Sequence, residues 1–174
     1  MILSGVTLFY VDKRIADMPV ATDIRIRAAN RLDVASLSVI ARAAYAEYVE
    51  IIGRAPAPML ADFAAHIDND IVFLAETAEQ ESRCLGYAVL VDGAQGWMLE
   101  NIAVVPAAQG CGVGHMLVRH CEAFLHGRSA RRYCLYTNTA MTRNIGWYKA
   151  LGFIETDRRV ENGFSRVYFE KRLG

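Results

Sequence analysis

The sequence has no cysteine pair at CxxC spacing and no histidine at a zinc-like offset from one. Its four cysteines, Cys84, Cys111, Cys121 and Cys134, therefore do not read as a structural metal site, and no metal is expected. A disulfide framework is not expected either, because the chain is long enough to build its own core. Net charge is also lacking: 19 Lys and Arg balance 19 Asp and Glu, which removes any bulk attraction to nucleic acid or to an acidic membrane. No apolar run approaches the length of a bilayer span. These absences point to a reducing, cytoplasmic setting with neither nucleic acid nor membrane as partner. Apolar residues make up 53 % of the 174, which supplies a core and excludes a disordered chain.

The first twenty residues stand apart. "ILSGVTLFYV" is apolar, but no basic residue precedes it and no clear small-residue cleavage site follows, so it makes a poor signal peptide. An extra N-terminal strand and an extension from an upstream start codon both fit 1–20. One domain is expected over 21–174.

Periodicity then sets out the elements. "DIRIRAA" alternates Ile24, Ile26 and Ala28 with Arg25 and Arg27, as a half-buried strand does. Asn30 with Asp33 marks a helix start, and Val34, Leu37, Ala41, Ala44 and Tyr48 recur at helical spacing, so a helix is expected over 32–50. "GRAPAP" at 53–58 breaks it, and a short second helix is expected over 59–67. Strands follow at 71–77, 84–91 and 97–105, joined by turns short enough for hairpins. A helix over 112–126 leads to a strand at 131–137, and such a crossover makes the strands on either side of it parallel neighbours. A helix over 141–151 ends at Gly152, and two strands around "ENG" (161–163) close the chain. The strand at 164–171 is a candidate free edge through which a homodimer could form.

The stretch "NIAVVPAAQGCGVGHMLV" (101–118) carries a strand, a glycine-rich turn and a helix start. Unpaired N–H groups and the helix dipole make this an anion site, and glycine allows close approach and positive φ. A nucleotide P-loop needs Lys and Ser or Thr after the last glycine, but His115 and Met116 follow Gly114. A dinucleotide fingerprint needs GxGxxG, and the spacing here is GxGxG.

The pattern V-x-P-x-x-Q-G-x-G-x-G ending at Gly114 resembles the acyl-CoA loop of the GCN5-related N-acetyltransferases. "WYKALGF" (147–153) is similar to that family's Tyr-x-x-Leu-Gly-Phe stretch, and the element order matches from about Asp23 to Leu173. The resemblance implies an α/β fold of the acyl-CoA N-acyltransferase type, an α+β mixed sheet in the order β-α-α-β-β-β-α-β-α-β-β. It implies an N-acetyltransferase that moves an acetyl group directly from acetyl-CoA to a primary amine. The alternative within the same fold is a non-catalytic acyl-CoA sensor. Loop amides from Gln109, Gly110, Cys111, Gly112, Val113 and Gly114 would hold the pyrophosphate. The backbone of Ile102, Ala103 and Val104 would pair with the pantetheine where the parallel strands splay.

Amine acetylation needs a neutral amine, a polarised carbonyl and a donor for the leaving thiolate. Tyr148, four residues before Gly152, falls where the family has its general acid, and a phenol keeps its proton at neutral pH. Glu100 shares a period-two face with Met98, Ile102 and Val104. A carboxylate in that register is either displaced by a bulge or a base whose pKa burial would raise. It also reads as a solvated glutamate near the strand start, with a water chain serving as base. The family's asparagine seven residues before the tyrosine is replaced here by Met141. Asn144 shares a helix face with Tyr148 and is the substitute candidate for the cofactor contact; Asn138 is a candidate cap. The helices before the first hairpin would line the acceptor site with Tyr45, Glu47, Tyr48, Glu50, Asp62 and Asp68, together with Arg54 and His66. Acidic and aromatic groups suit a cationic small-molecule amine, a peptide N-terminus or a lysine.

Overall fold

The computed structural model describes residues 23–174, so the expected extension over 1–20 lies outside the described residues. Strand β1 (Ile24–Ala28) packs Ile24 and Ile26 into the core and pairs Arg25 with Glu76 on the neighbouring strand. A 3-10 turn at Arg31–Asp33 leads into helix α1 (Val34–Ile52). The expected start signal acts on that turn: Leu32 N–H donates to Asn30 Oδ1 at 2.9 Å, and Asn30 N–H donates to Asp33 Oδ2 at 2.8 Å. Leu37, Ile40, Ala41 and Tyr48 are the buried face of α1, which ends at Gly53 in the left-handed conformation.

The helix expected over 59–67 is two pieces. Pro56 and Pro58 support only a 3-10 turn at Ala57–Leu60, and helix α2 begins later, at Phe63–Asn69. Asp62 sets that start by accepting the Ala65 N–H at 3.0 Å.

Strands β2 (Ile71–Thr77), β3 (Cys84–Gly93) and β4 (Gly96–Val104) form an antiparallel meander. Helix α3 (Val113–Gly127) crosses to β5 (Arg132–Asn138), which lies parallel to β4 as expected. Helix α4 (Thr142–Ala150) precedes the hairpin of β6 (Ile154–Glu161) and β7 (Phe164–Arg172). The sheet order is β1-β2-β3-β4-β5-β7-β6. The strand at 164–171 is therefore not a free edge: β7 pairs with β5 on one side and β6 on the other, and among the described residues the outermost strands are β1 and β6.

Helices cover both faces. Leu117, Val118, Cys121 and Leu125 of α3 pack against Phe73, Ala88 and Leu90 on one face. Leu37 and Ile40 of α1 and Phe63 of α2 pack against Leu74, Tyr87 and Val89 on the other. Burying each such leucine contributes about 2 kcal/mol. Strand β2 is buried on both faces, which accounts for its unbroken apolar run. Among the described residues no helix is long and apolar enough to cross a membrane.

Candidate active site

Two irregularities in β4 make the site. The first is a bulge. Val89 pairs with Asn101 and Leu90 pairs with Leu99, so Glu100 is an extra residue without a partner on β3. Period-two counting put Glu100 on one face with Met98, Ile102 and Val104. The bulge breaks that phase, and Ile102 and Val104 pack into the same core as Trp97 and Leu99. The second irregularity is a splay: β4 and β5 are paired at Met98 and Cys134 and part beyond that point.

The splay leaves backbone groups unpaired. Val105 N–H donates to Leu85 O at 2.9 Å. Antiparallel alternation then directs Asn101 and Ala103 toward β3, and Ile102 and Val104 toward the gap. Two side chains reach those carbonyls. The Tyr45 hydroxyl lies 3.1 Å from Ile102 O and 3.1 Å from Asn101 Oδ1, and Gln109 Nε2 donates to Val104 O at 3.2 Å. An incoming chain would meet the free N–H groups first and would have to displace these donors to reach the carbonyls.

A cavity of about 230 Å3 opens on the bulge side of the splay. Glu100, Tyr136, His66 and Arg166 give it polar walls, and Ile52, Pro56, Pro58 and Phe164 give it apolar ones. The Tyr136 hydroxyl donates to Glu100 Oε1 at 3.1 Å. Burial pushes the Glu100 carboxyl above its ordinary value, and that hydrogen bond partly opposes the rise. His66 Nδ1 lies 2.7 Å from Asp70 Oδ2, one turn along and just past the end of α2. On the other side of the splay lies a groove of about 560 Å3, lined by Ile102, Ala103, Val104, Gln109, Gly110, Gly112, Gly114 and Trp147. Glu47 of α1 and Arg143 of α4 form an ion pair at this groove.

Tyr45, Ile102, Asn144 and Tyr148 line both spaces, so they form the junction between cavity and groove. The Tyr148 phenol is 6 % exposed, and burial holds its pKa well above the ordinary value. It therefore stays a donor throughout the physiological range.

The glycine loop fits an anion. Gly110 and Gly112 have φ of 78° and 86°, and a Cβ added to either would meet nothing within 4 Å. Among the described residues, the amides of Gly110, Gly112, Val113, Gly114 and His115 have no protein hydrogen-bond acceptor. The diphosphate end of coenzyme A is a ligand of the charge and shape that such a nest takes.

The sequence candidates divide. Glu100, Ile102, Asn144 and Tyr148 converge at the splay, and Ala103, Val104, Gln109, Gly110, Gly112 and Gly114 line the groove. Val113 sends its side chain into the core and leaves only its amide to the loop, while Cys111 is exposed and outside the groove lining. Tyr45 and His66 reach the cavity, and Glu47 and Tyr48 reach the groove. Asp62 is the cap of α2, and Asp68 forms an ion pair with Arg31, so neither lines the cavity. Asn138 does not cap α4: its side chain accepts the Ala140 N–H at 2.9 Å and closes the turn before the helix. Tyr136 and Arg166 escaped the sequence reading. Both sit on ordinary strand positions: Tyr136 reaches the splay on β5, beside β4, and Arg166 through the pairing of β7 with β5.

Cavity, groove and the tyrosine between them describe a two-substrate transferase whose donor rides on an anionic carrier. The chain belongs to the acetyltransferase (GNAT) family, whose sequence model matches residues 37–153. It is accordingly an acyltransferase of the kind that carries an acyl group from acyl-CoA to an amine. Solved structures share the fold. The ribosomal-protein-S18-alanine N-acetyltransferase from Escherichia coli superposes with a TM-score of 0.70 at 20 % identity, over 87 % of this chain and 94 % of that one. A GCN5-related N-acetyltransferase from Rhodopseudomonas palustris gives 0.71 at 19 % identity, over 90 % and 100 %. The PaiA N-acetyltransferase from Thermoplasma acidophilum, solved in complex with coenzyme A, gives 0.66 at 20 % identity, over 86 % and 99 %. No curated protein sequence matches the chain.

Proposed function

We propose that the protein acetylates a small primary amine with acetyl-CoA, using Glu100 as the base and Tyr148 as the acid. The observation that carries this reading is the shared lining of cavity and groove by Tyr148, Asn144, Ile102 and Tyr45. Acetyl-CoA would supply the acetyl group as a thioester, and the amides of Gly110, Gly112, Val113, Gly114 and His115 would be the donors for its diphosphate; those of Gln109 and Cys111, expected to join them, are taken by Pro106 O and Ala108 O. Glu100 takes the proton that the amine must lose, and burial raises its pKa above the ordinary carboxylate value, which makes it a stronger base. Tyr148 holds a proton at the junction, where the leaving thiolate needs one. The backbone N–H groups that the splay turns into the gap are the donors available to a developing oxyanion. The proposed chemistry is thus acid–base catalysis and hydrogen bonding alone.

The cavity, at about 230 Å3, lies below the range usual for drug-sized ligands, which favours a small acceptor over a protein lysine. The four cysteines are all free, in keeping with a reducing, cytoplasmic location.

Thermal unfolding with acetyl-CoA, CoA, ATP and NAD tests the donor side. A ligand at a hundred times its Kd adds roughly 2.7 kcal/mol, a rise of about 5–10 °C in Tm for a chain of this size. Acetyl-CoA and CoA are expected to give that rise, and ATP and NAD are not. Release of free thiol from acetyl-CoA across a panel of amines tests the chemistry. CoA binding without any thiol release would leave a sensor in place of an enzyme.

A further inference from the structure

The acceptor cavity has opposite charges at its two ends. Glu100 stands at the bulge, beside the junction tyrosine. Across the Tyr136 ring stands Arg166 of β7, its guanidinium carbon 4.1 Å from the ring centroid and its side chain 14 % exposed. Tyr136 thus touches both charges, stacking on one and donating its hydroxyl hydrogen bond to the other.

Arg166 has donors to spare. A guanidinium carries five N–H bonds, and the one ionic partner of Arg166 among the described residues is Glu161, reached through Nη1. That glutamate is itself shared: Tyr168 donates to it at 2.7 Å, and Arg159 lies 3.8 Å from its other oxygen. Beside it, Arg54 stacks over the Phe164 ring at 3.3 Å and donates to Asn162 O at 2.9 Å, with no carboxylate partner among the described residues. Arg54 lies outside the cavity lining, so the cationic group at the β7 end of the cavity is Arg166, with N–H donors left over from its pair with Glu161. A polyamine, which needs carboxylates along its length, would set an ammonium against this guanidinium. The remaining walls, from Ile52, Pro56, Pro58 and Phe164, are apolar.

We propose that the acceptor is a free amino acid with an apolar side chain, its amino group toward Glu100, its carboxylate on Arg166 and its side chain against the Pro56–Pro58 segment. The proposal rests on the acetyltransferase reading of the same cavity and adds the acceptor's chemical class to it. A bidentate guanidinium–carboxylate pair in a partly buried site selects strongly for the carboxylate, because an amide in its place leaves the guanidinium unpaired.

The experiment is thiol release from acetyl-CoA by the full chain, with L-leucine, L-methionine, leucinamide, isopentylamine and spermidine as acceptors. Leucine and methionine are expected to exceed leucinamide and isopentylamine in kcat/KM by roughly 10- to 100-fold. Arg166→Met is expected to collapse the leucine-over-leucinamide ratio toward one, and Arg166→Lys to restore part of it. The lysine variant and the ratio readout guard against simple loss of folding, which would lower both substrates together. Equal turnover of leucinamide, preference for spermidine, or an unchanged ratio in Arg166→Met overturns the proposal and leaves the acetyltransferase reading standing. Turnover of none of the five overturns it as well. The Tm response to acetyl-CoA then tells whether the donor side fails too.

Discussion

The Tyr136 hydroxyl donates to Glu100 Oε1 at 3.1 Å across the gap where β4 and β5 part. Burial raises the Glu100 pKa, and this bond favours the charged form and restrains the rise. With Glu100 as the proposed base, rate depends on the ionised carboxylate, so kcat/KM is expected to climb as pH rises through the elevated Glu100 pKa. Tyr136→Phe removes the restraint and is expected to move that climb to higher pH. Glu100→Gln is expected to lower kcat/KM by about 10²–10⁴ and to erase the climb. A pH profile of the three proteins checks this; an unchanged profile in Glu100→Gln would assign the base elsewhere, with His66 the next titratable group in the cavity.

Much of this arrangement is legible in the sequence, and each exception has its own physical cause. Alternation in "DIRIRAA", the unbroken apolar run 71–77 and the glycines at 110–114 are local signals, and each produced the element expected of it. The bulge at Glu100 is one of the readings that the period allows, because a carboxylate in an apolar register marks either a phase change or a base, and the pairing with β3 is what shows the phase change. The order β5-β7-β6 was missed because insertion of β7 between two earlier strands is set by long-range pairing. Arg166 enters the cavity only through that pairing, whereas Tyr136 comes with β5, which the crossover already places beside β4. The two prolines at 56 and 58 mark the break, and Asp62, whose side chain caps the restarted helix, sets a start later than apolar spacing alone gives.

Tyr148 separates binding from chemistry. The residue lines both cavity and groove, while its ring packs against Phe153 and Phe169 with centroids 5.7 and 5.9 Å away. Tyr148→Phe keeps the ring and removes only the donor. Expected is a fall in kcat of roughly 10²-fold with little change in acetyl-CoA affinity. Titration calorimetry beside steady-state rates decides it, and equal losses in both would mean the hydroxyl serves binding instead.

Gly112 tests the loop. Its φ of 86° lies in the left-handed region, and a Cβ there would meet nothing within 4 Å. Gly112→Ala is expected to lower stability by about 1–2 kcal/mol through backbone strain alone. It should also weaken acetyl-CoA binding roughly tenfold by moving amides that donate to an anion. Gly114 differs: its Cβ would stand 3.1 Å from Trp147 Cζ2, so Gly114→Ala acts through displacement of that indole. Acetyl-CoA affinity unchanged in Gly112→Ala would remove the diphosphate from this loop.

Stability at low pH should turn on Arg27, which ties β1 to both β2 and the start of α1. Its Nη1 and Nη2 each lie 2.8 Å from an oxygen of Asp33, and its Nε lies 3.1 Å from Glu76 Oε1. Hydrogen bonds from Arg27 hold the Asp33 carboxyl below its ordinary value. Burial alone would raise Glu76, but hydrogen bonds from Arg27 and Arg25 outweigh it and lower that carboxyl as well. With folded-state values below the unfolded ones, both carboxylates contribute stability that is present above the ordinary carboxyl range. That stability is lost as pH falls through the lowered values. Arg27→Met leaves Glu76 buried, its side chain 2 % exposed, with Arg25 as its remaining cationic partner. The expected loss at neutral pH is about 3 kcal/mol, at the lower end for a broken buried pair because the Arg27 side chain is 31 % exposed. Urea unfolding from pH 7 downward should show the wild-type protein losing stability steeply and Arg27→Met losing it more gently, so that the two curves converge in acid. Parallel curves would mean that the two carboxylates are not held by Arg27.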